Sequence, residues 1–85
     1  FRSERILVET CLPVVQMRFD AGLASSLTIQ QAMQLLYEAA MQQVEKGVWI
    51  PKPILLYNAS NNCVLRKDST IKEARVQSGD CIYLF

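Results

Sequence analysis

The chain contains no histidine, and its 85 residues include only three glycines, three prolines and one tryptophan. Without histidine the usual general base is missing, so a Ser-His or Cys-His nucleophile has no partner and acid–base chemistry has few candidates. Three dispersed glycines are too few for a phosphate-cradling loop. There is no CxxC either. Cys11, Cys63 and Cys81 are an odd number at wide spacings, which reads as small reduced side chains, with a disulfide or a reactive thiol as the other option; no zinc site and no cofactor are expected. Asp68, Glu73 and Asp80 lack the dense spacing of a calcium loop. No apolar run approaches the roughly 20 residues needed to span a bilayer, and the opening FRSERILVE lacks the apolar centre of a secretory signal, so a soluble, cytoplasmic chain without direct membrane insertion is expected. A basic stripe is also missing. Nine basic and eight acidic residues are scattered to a net charge of +1, which argues against nucleic acid as the main partner.

What remains is a compact apolar pattern. At 51% hydrophobic and 20% charged residues, a chain of this length forms one domain, residues 1–85, with a single modest core. Residues 25–47 carry the one sustained helical period. Thr28 followed by Gln31 fits a capping box, and Ile29, Ala32, Met33, Leu36, Ala40 and Val44 recur at intervals of three and four, with glutamines and glutamates opposite. Lys46 and Gly47 suit the last turn and the stop of the helix.

Around it lie strand patterns. RILVET (5–10) alternates, with Ile6 and Val8 on one side and Leu7 and Glu9 on the other; Cys11, Leu12 and Pro13 make a turn. Residues 14–21 alternate again, with Val15, Met17, Phe19 and Ala21 inward, and the two segments form an antiparallel hairpin. Pro51 and Pro53 hold an extended connector in which Trp49 and Ile50 plug the end of the core. ILLY (54–57), CVL (63–65) and CIYLF (81–85) complete the strands, with NASNN as a turn, a capping box at Thr70 and Glu73, and a Gly79-Asp80 turn. The order predicts an α+β fold: a mixed four- to five-stranded sheet with one long helix packed across one face, the first and last strands parallel in the centre.

TIQQAMQLL, ILLY and STIKEARVQSGDCIYLF together resemble the ubiquitin-like β-grasp superfamily over residues 5–85. The Trp49-Ile50 pair and the Gly79-Asp80 turn are most similar to the YukD/EsaB group, the small ubiquitin-like proteins of type VII (WXG100) secretion systems. The resemblance implies a non-catalytic protein–protein interaction domain, an accessory or regulatory component of such a bacterial system. The chain stops at Phe85 without the Gly-Gly tail that ubiquitin and sulfur carriers use, so conjugation is not expected. Two alternatives stand beside this: a ubiquitin-like module of a larger protein, or a modifier whose Gly-Gly lies beyond Phe85.

The expected partner-binding face is the side of the sheet the helix does not cover. Strand alternation turns Leu7, Tyr83 and Phe85 that way, and the resemblance adds Leu56 and the turn residue Leu12. These five would meet a protein partner, with the alternative that some of them tuck under loops or pair in a homodimer. Tyr37 and Met41 on the helix are a second candidate contact, with incidental packing as the alternative.

Overall fold

The computed structural model describes residues 5–85; residues 1–4, which the sequence assigns to the same domain, lie outside the described residues. Strand β1 (Arg5–Leu12) passes through a 3-10 turn (Pro13–Val15) into β2 (Met17–Ala24), followed by helix α1 (Ile29–Gln43) and strands β3 (Leu56–Asn58), β4 (Cys63–Leu65) and β5 (Cys81–Leu84). The sheet order is β2-β1-β5-β3-β4. β1 and β5 are parallel and central, and the other pairings are antiparallel. The α+β architecture with one helix across a mixed sheet is therefore the one predicted, with five strands. Among the described residues no helix is long and apolar enough to cross a membrane.

The helix begins where its cap places it. Thr28 Oγ1 accepts the Gln31 N–H at 3.1 Å while Gln31 Oε1 accepts the Thr28 N–H at 3.0 Å, so two backbone donors left open by the first turn are both satisfied. Its start is also tied to the segment that precedes β5: the Ile29 N–H reaches Ser69 O, and the Ile71 N–H reaches Leu27 O. Ile29, Ala32, Met33, Leu36 and Ala40 are buried, and they pack with Val8, Leu12, Leu23, Leu56, Leu65, Ile82 and Leu84 in one core.

Several boundaries differ from the sequence reading. The helix ends at Gln43, with Val44 already extended, rather than at Lys46. Tyr37 Oη donates to Ile50 O at 2.8 Å, so the chain must double back along the last turns, and it leaves the helix early to do so. Gly47 keeps a left-handed φ of 95°, but in the turn beyond the helix. Tyr37 is thus a packing residue, partly buried against the core, while Met41 stays on the exposed side. Val14 and Val15 belong to the turn, closed by the Gln16 N–H on Pro13 O with Gln16 left-handed, and strand β2 starts three residues later than read. Ile50 does plug the core at 1% exposure, but Trp49 is 74% exposed: in the extended stretch before Pro51 successive side chains point to opposite sides, so only one of the pair can be buried. The Thr70 capping box forms, with both reciprocal bonds at 2.9 and 3.0 Å, on a single turn.

The turn before β5 is fixed by Asp80. Its Oδ2 accepts from Asn58 Nδ2 at 2.9 Å and from the Gln77 N–H at 3.0 Å. Asn58 is fully buried and its own Oδ1 accepts the Ser60 N–H at 2.9 Å, so β3, the 59–62 turn and the entry to β5 share one satisfied polar network. Gly79 supplies φ of 92° and donates its N–H to Leu7 O.

Candidate functional site

Because successive side chains along a strand point to opposite faces, burying Val8, Leu12, Leu56, Ile82 and Leu84 under the helix turns Leu7, Glu9, Cys11, Tyr57, Cys81, Tyr83 and Phe85 to the uncovered face. Two of the five predicted contact residues are thereby corrected: Leu12 is 2% and Leu56 is 1% exposed. Leu12 continues β1 instead of forming a turn, which extends the Ile6, Val8, Thr10 series into the core. Leu56 pairs with Leu84 and Leu65, both of which face the helix, so the outward residue of β3 is its neighbour Tyr57. ILLY is apolar in either phase, and a one-residue difference in phase exchanges the faces.

Leu7 and Phe85 are exposed, and Tyr83 is half-buried, but they do not form one patch. Tyr83, Phe85 and Tyr57 cluster at one end, with ring centroids 5.9 to 6.4 Å apart and Tyr57 edge-on to Tyr83 at 88°, a favoured aromatic arrangement. Tyr57 Oη donates to Asn62 Oδ1 at 2.8 Å, which fixes its ring. Phe85 continues this cluster around the sheet end into an apolar groove of about 200 Å³ whose walls include Val14, Pro51, Pro53 and Ile54; Val14 and Ile54 are 65% and 71% exposed. Tyr57, Val14 and Ile54 were not singled out in the sequence. Only Tyr57 had a signal there, the outward phase of β3 once Leu84 is placed inward.

Between Leu7 and the aromatic cluster lies a polar group that sequence spacing concealed. β1 and β5 align Glu9 with Cys81 and Cys11 with Tyr83, and the sulfurs of Cys11 and Cys81 come within 3.7 Å although 70 residues separate them. Both thiols also reach Glu9 Oε1, Cys11 at 3.8 Å and Cys81 at 3.7 Å. From the neighbouring β2, Arg18 Nη1 lies 3.5 Å from the same oxygen. Cys11 is buried, while Cys81 and Glu9 are half-buried. Burial pushes the Cys81 thiol up to about 11, helped by the hydrogen bond with Cys11, and Arg18 is raised by Cys11 and then Glu9. Cys63 is exposed on the edge strand β4, far from this group in the strand order. A parallel central pair with odd-numbered residues outward places Cys11 and Cys81 on one face, so the juxtaposition was legible from the predicted topology, not from spacing.

No protein-family model matches the sequence, and no curated protein matches it. Solved structures do. The chain is similar to a designed protein based on ubiquitin, with a TM-score of 0.71 at 16% identity over 95% of this chain and 87% of that one. It is similar to the ubiquitin-like domain of an Arabidopsis thaliana protein, with a TM-score of 0.70 at 18% identity over 100% and 78%. The C-terminal ubiquitin-like domain of mouse tubulin-specific chaperone e gives 0.69 at 19% identity over 96% and 86%. The fold is a ubiquitin-like β-grasp.

Proposed function

We propose that the chain is a non-catalytic protein-interaction module whose partner meets the aromatic end of the open sheet face. The observation that carries this reading is the Tyr57, Tyr83 and Phe85 cluster, with Phe85 half-exposed and continuous with the groove beside Val14 and Ile54. Aromatic side chains bring large contact area at low entropic cost, and they are enriched at the centres of interfaces. Leu7, beyond the polar group, is a peripheral contact. The finer assignment is an accessory or regulatory component of a bacterial type VII secretion system, acting in the cytoplasm; it is supported by the likeness of Trp49-Ile50 and Gly79-Asp80 to the YukD/EsaB group. Trp49, with its exposed ring, is then available to the same machinery.

The test is capture of cytosolic proteins from the source cell by the wild-type chain and by a Tyr83→Ser/Phe85→Ser double variant, with secretion components sought among the captured set. Loss of a specific partner by a variant that keeps its far-UV spectrum and melting temperature supports the interface. Undiminished capture by the folded variant sinks it, and a partner set without secretion components removes the finer assignment alone. A second reading, a module within a longer protein, is favoured by the mouse and Arabidopsis neighbours, each a domain of its own protein; the complete reading frame decides it.

A further inference from the structure

We infer that Glu9, Cys11 and Cys81 form a three-ligand site for a tetrahedral, thiophilic cation of the Zn²⁺ class on the open sheet face. The spacing of the donor atoms carries the inference. With zinc–sulfur bonds of about 2.3 Å and zinc–oxygen bonds of about 2.0 to 2.2 Å, a tetrahedral centre sets its donors about 3.8 Å apart for sulfur and sulfur and about 3.6 Å apart for sulfur and oxygen. The three separations here are 3.7 Å between the sulfurs and 3.7 and 3.8 Å from each sulfur to Glu9 Oε1. A cation can enter with shifts of a few tenths of an ångström.

The sheet register makes a disulfide the poorer use of the same two sulfurs. Cys81 stands opposite Glu9, and Cys11 is its diagonal neighbour two residues on. Two residues along a strand and one strand across put such α-carbons about 8 Å apart, beyond the roughly 7 Å that a disulfide spans without backbone movement. A bridging ion requires no such approach. Two thiolates also select a soft or borderline cation over magnesium or calcium.

The surroundings suit a held ion. The donors stand on the two central strands, so their backbone positions are fixed by hydrogen bonding on both sides. Binding releases the two thiol protons to solvent, and two thiolates with one carboxylate around a divalent ion leave one net negative charge. Arg18, 3.5 Å from Glu9 Oε1, offsets that charge and orients the carboxylate as an outer-shell partner. A shallow cavity beside Cys11, Gln16, Arg18 and Tyr83 gives access from solvent. The fourth position is left to water or to a side chain of a docked partner. The site shares no residue with the aromatic cluster, and its test involves no partner.

The test is a titration of reduced Cys63→Ser protein with Co²⁺ and then Zn²⁺. The expected result is a thiolate-to-cobalt charge-transfer band that saturates at one equivalent, is bleached by Zn²⁺, and is accompanied by a raised melting temperature. Adding Cys11→Ser or Cys81→Ser should abolish the band. Adding Glu9→Gln, on the open face and away from the core, should weaken cobalt binding by at least the roughly tenfold that loss of even an outer-shell partner costs. Absence of the band at one equivalent in folded Cys63→Ser protein overturns the site, and so does unchanged affinity in Glu9→Gln. Conversion of both thiols to an intrachain disulfide in glutathione buffer, with no cation binding by the reduced form, overturns it in favour of a redox pair.

Discussion

Thr10 offers a test of the core in which two conservative substitutions should have opposite signs. It lies in the central strand β1, aligned with Phe19 on β2 and Ile82 on β5, and it is wholly buried. Its Oγ1 has no hydrogen-bond partner among the described residues. A buried hydroxyl without a partner costs about 1 to 3 kcal/mol of desolvation. Valine has nearly the same shape, keeps the β-branch that suits a strand and puts a methyl group where the hydroxyl was. Thr10→Val should therefore stabilise the chain by about 1 to 2 kcal/mol, and at about 4 to 8 °C per kcal/mol for a domain of this size the melting temperature should rise by about 5 to 15 °C. Thr10→Ser retains the unpartnered oxygen and loses a buried methyl group, so it should cost about 1 kcal/mol. Urea unfolding of the three proteins, with m-values compared to confirm that the unfolded states match, measures both effects. If Thr10→Val is neutral or destabilising, the hydroxyl is satisfied in solution and the reasoning fails.

Asp80→Ala should cost about 2 to 4 kcal/mol, because it removes an acceptor shared by Asn58 and the Gln77 N–H and leaves the buried Asn58 amide short of a partner; chemical denaturation checks this, with Asp80→Asn expected to recover part of the loss. Gly79→Ala should cost about 1 kcal/mol through its positive φ alone, since a β-carbon there would meet nothing within 4 Å; a thermal melt reads it. In metal-free protein, a Cys81 thiol raised to about 11 keeps its proton in the native state where the unfolded chain has lost it. Its contribution to stability is therefore full below about pH 9 and is lost as pH rises through about 11; the alkaline limb of a stability–pH curve should be shallower in Cys81→Ala.

The parts of the fold that the sequence disclosed are those in which pattern and local chemistry agree. The α1 stripe, both capping boxes, the β1–β2 hairpin and the parallel pairing of first and last strands follow from period, cap residues and connection length. Three of the misreadings share one cause, apolar residues in both phases; the early end of the helix at Gln43 is a separate matter, set by the chain doubling back to Ile50. Val14 and Val15 look like strand but close a turn. Trp49 and Ile50 look equally suited to the core, and only their backbone decides that Ile50 enters it. In ILLY the choice between Leu56 and Tyr57 depends on the partner strand. For the candidate site, Leu7, Tyr83 and Phe85 followed from alternation, whereas Leu12 and Leu56 were carried from a resemblance and lie in the core. The Glu9, Cys11 and Cys81 group needed topology, because residues 70 positions apart meet only when β5 is set beside β1.

That placement of β5 also governs how the chain reaches its native state. β5, the middle strand of the sheet, is the last of the five in chain order, so the hairpin, the helix and β3 all precede it. The pairing of β1 with β5 closes a loop that runs through most of the chain, an entropic cost that precedes any reward in contacts. On the ribosome the earlier elements should remain loosely associated, with the apolar helix stripe exposed, until residues 81–84 emerge. Folding should then be a late, cooperative event, and removal of those few residues should cost the whole structure, not just one edge of it.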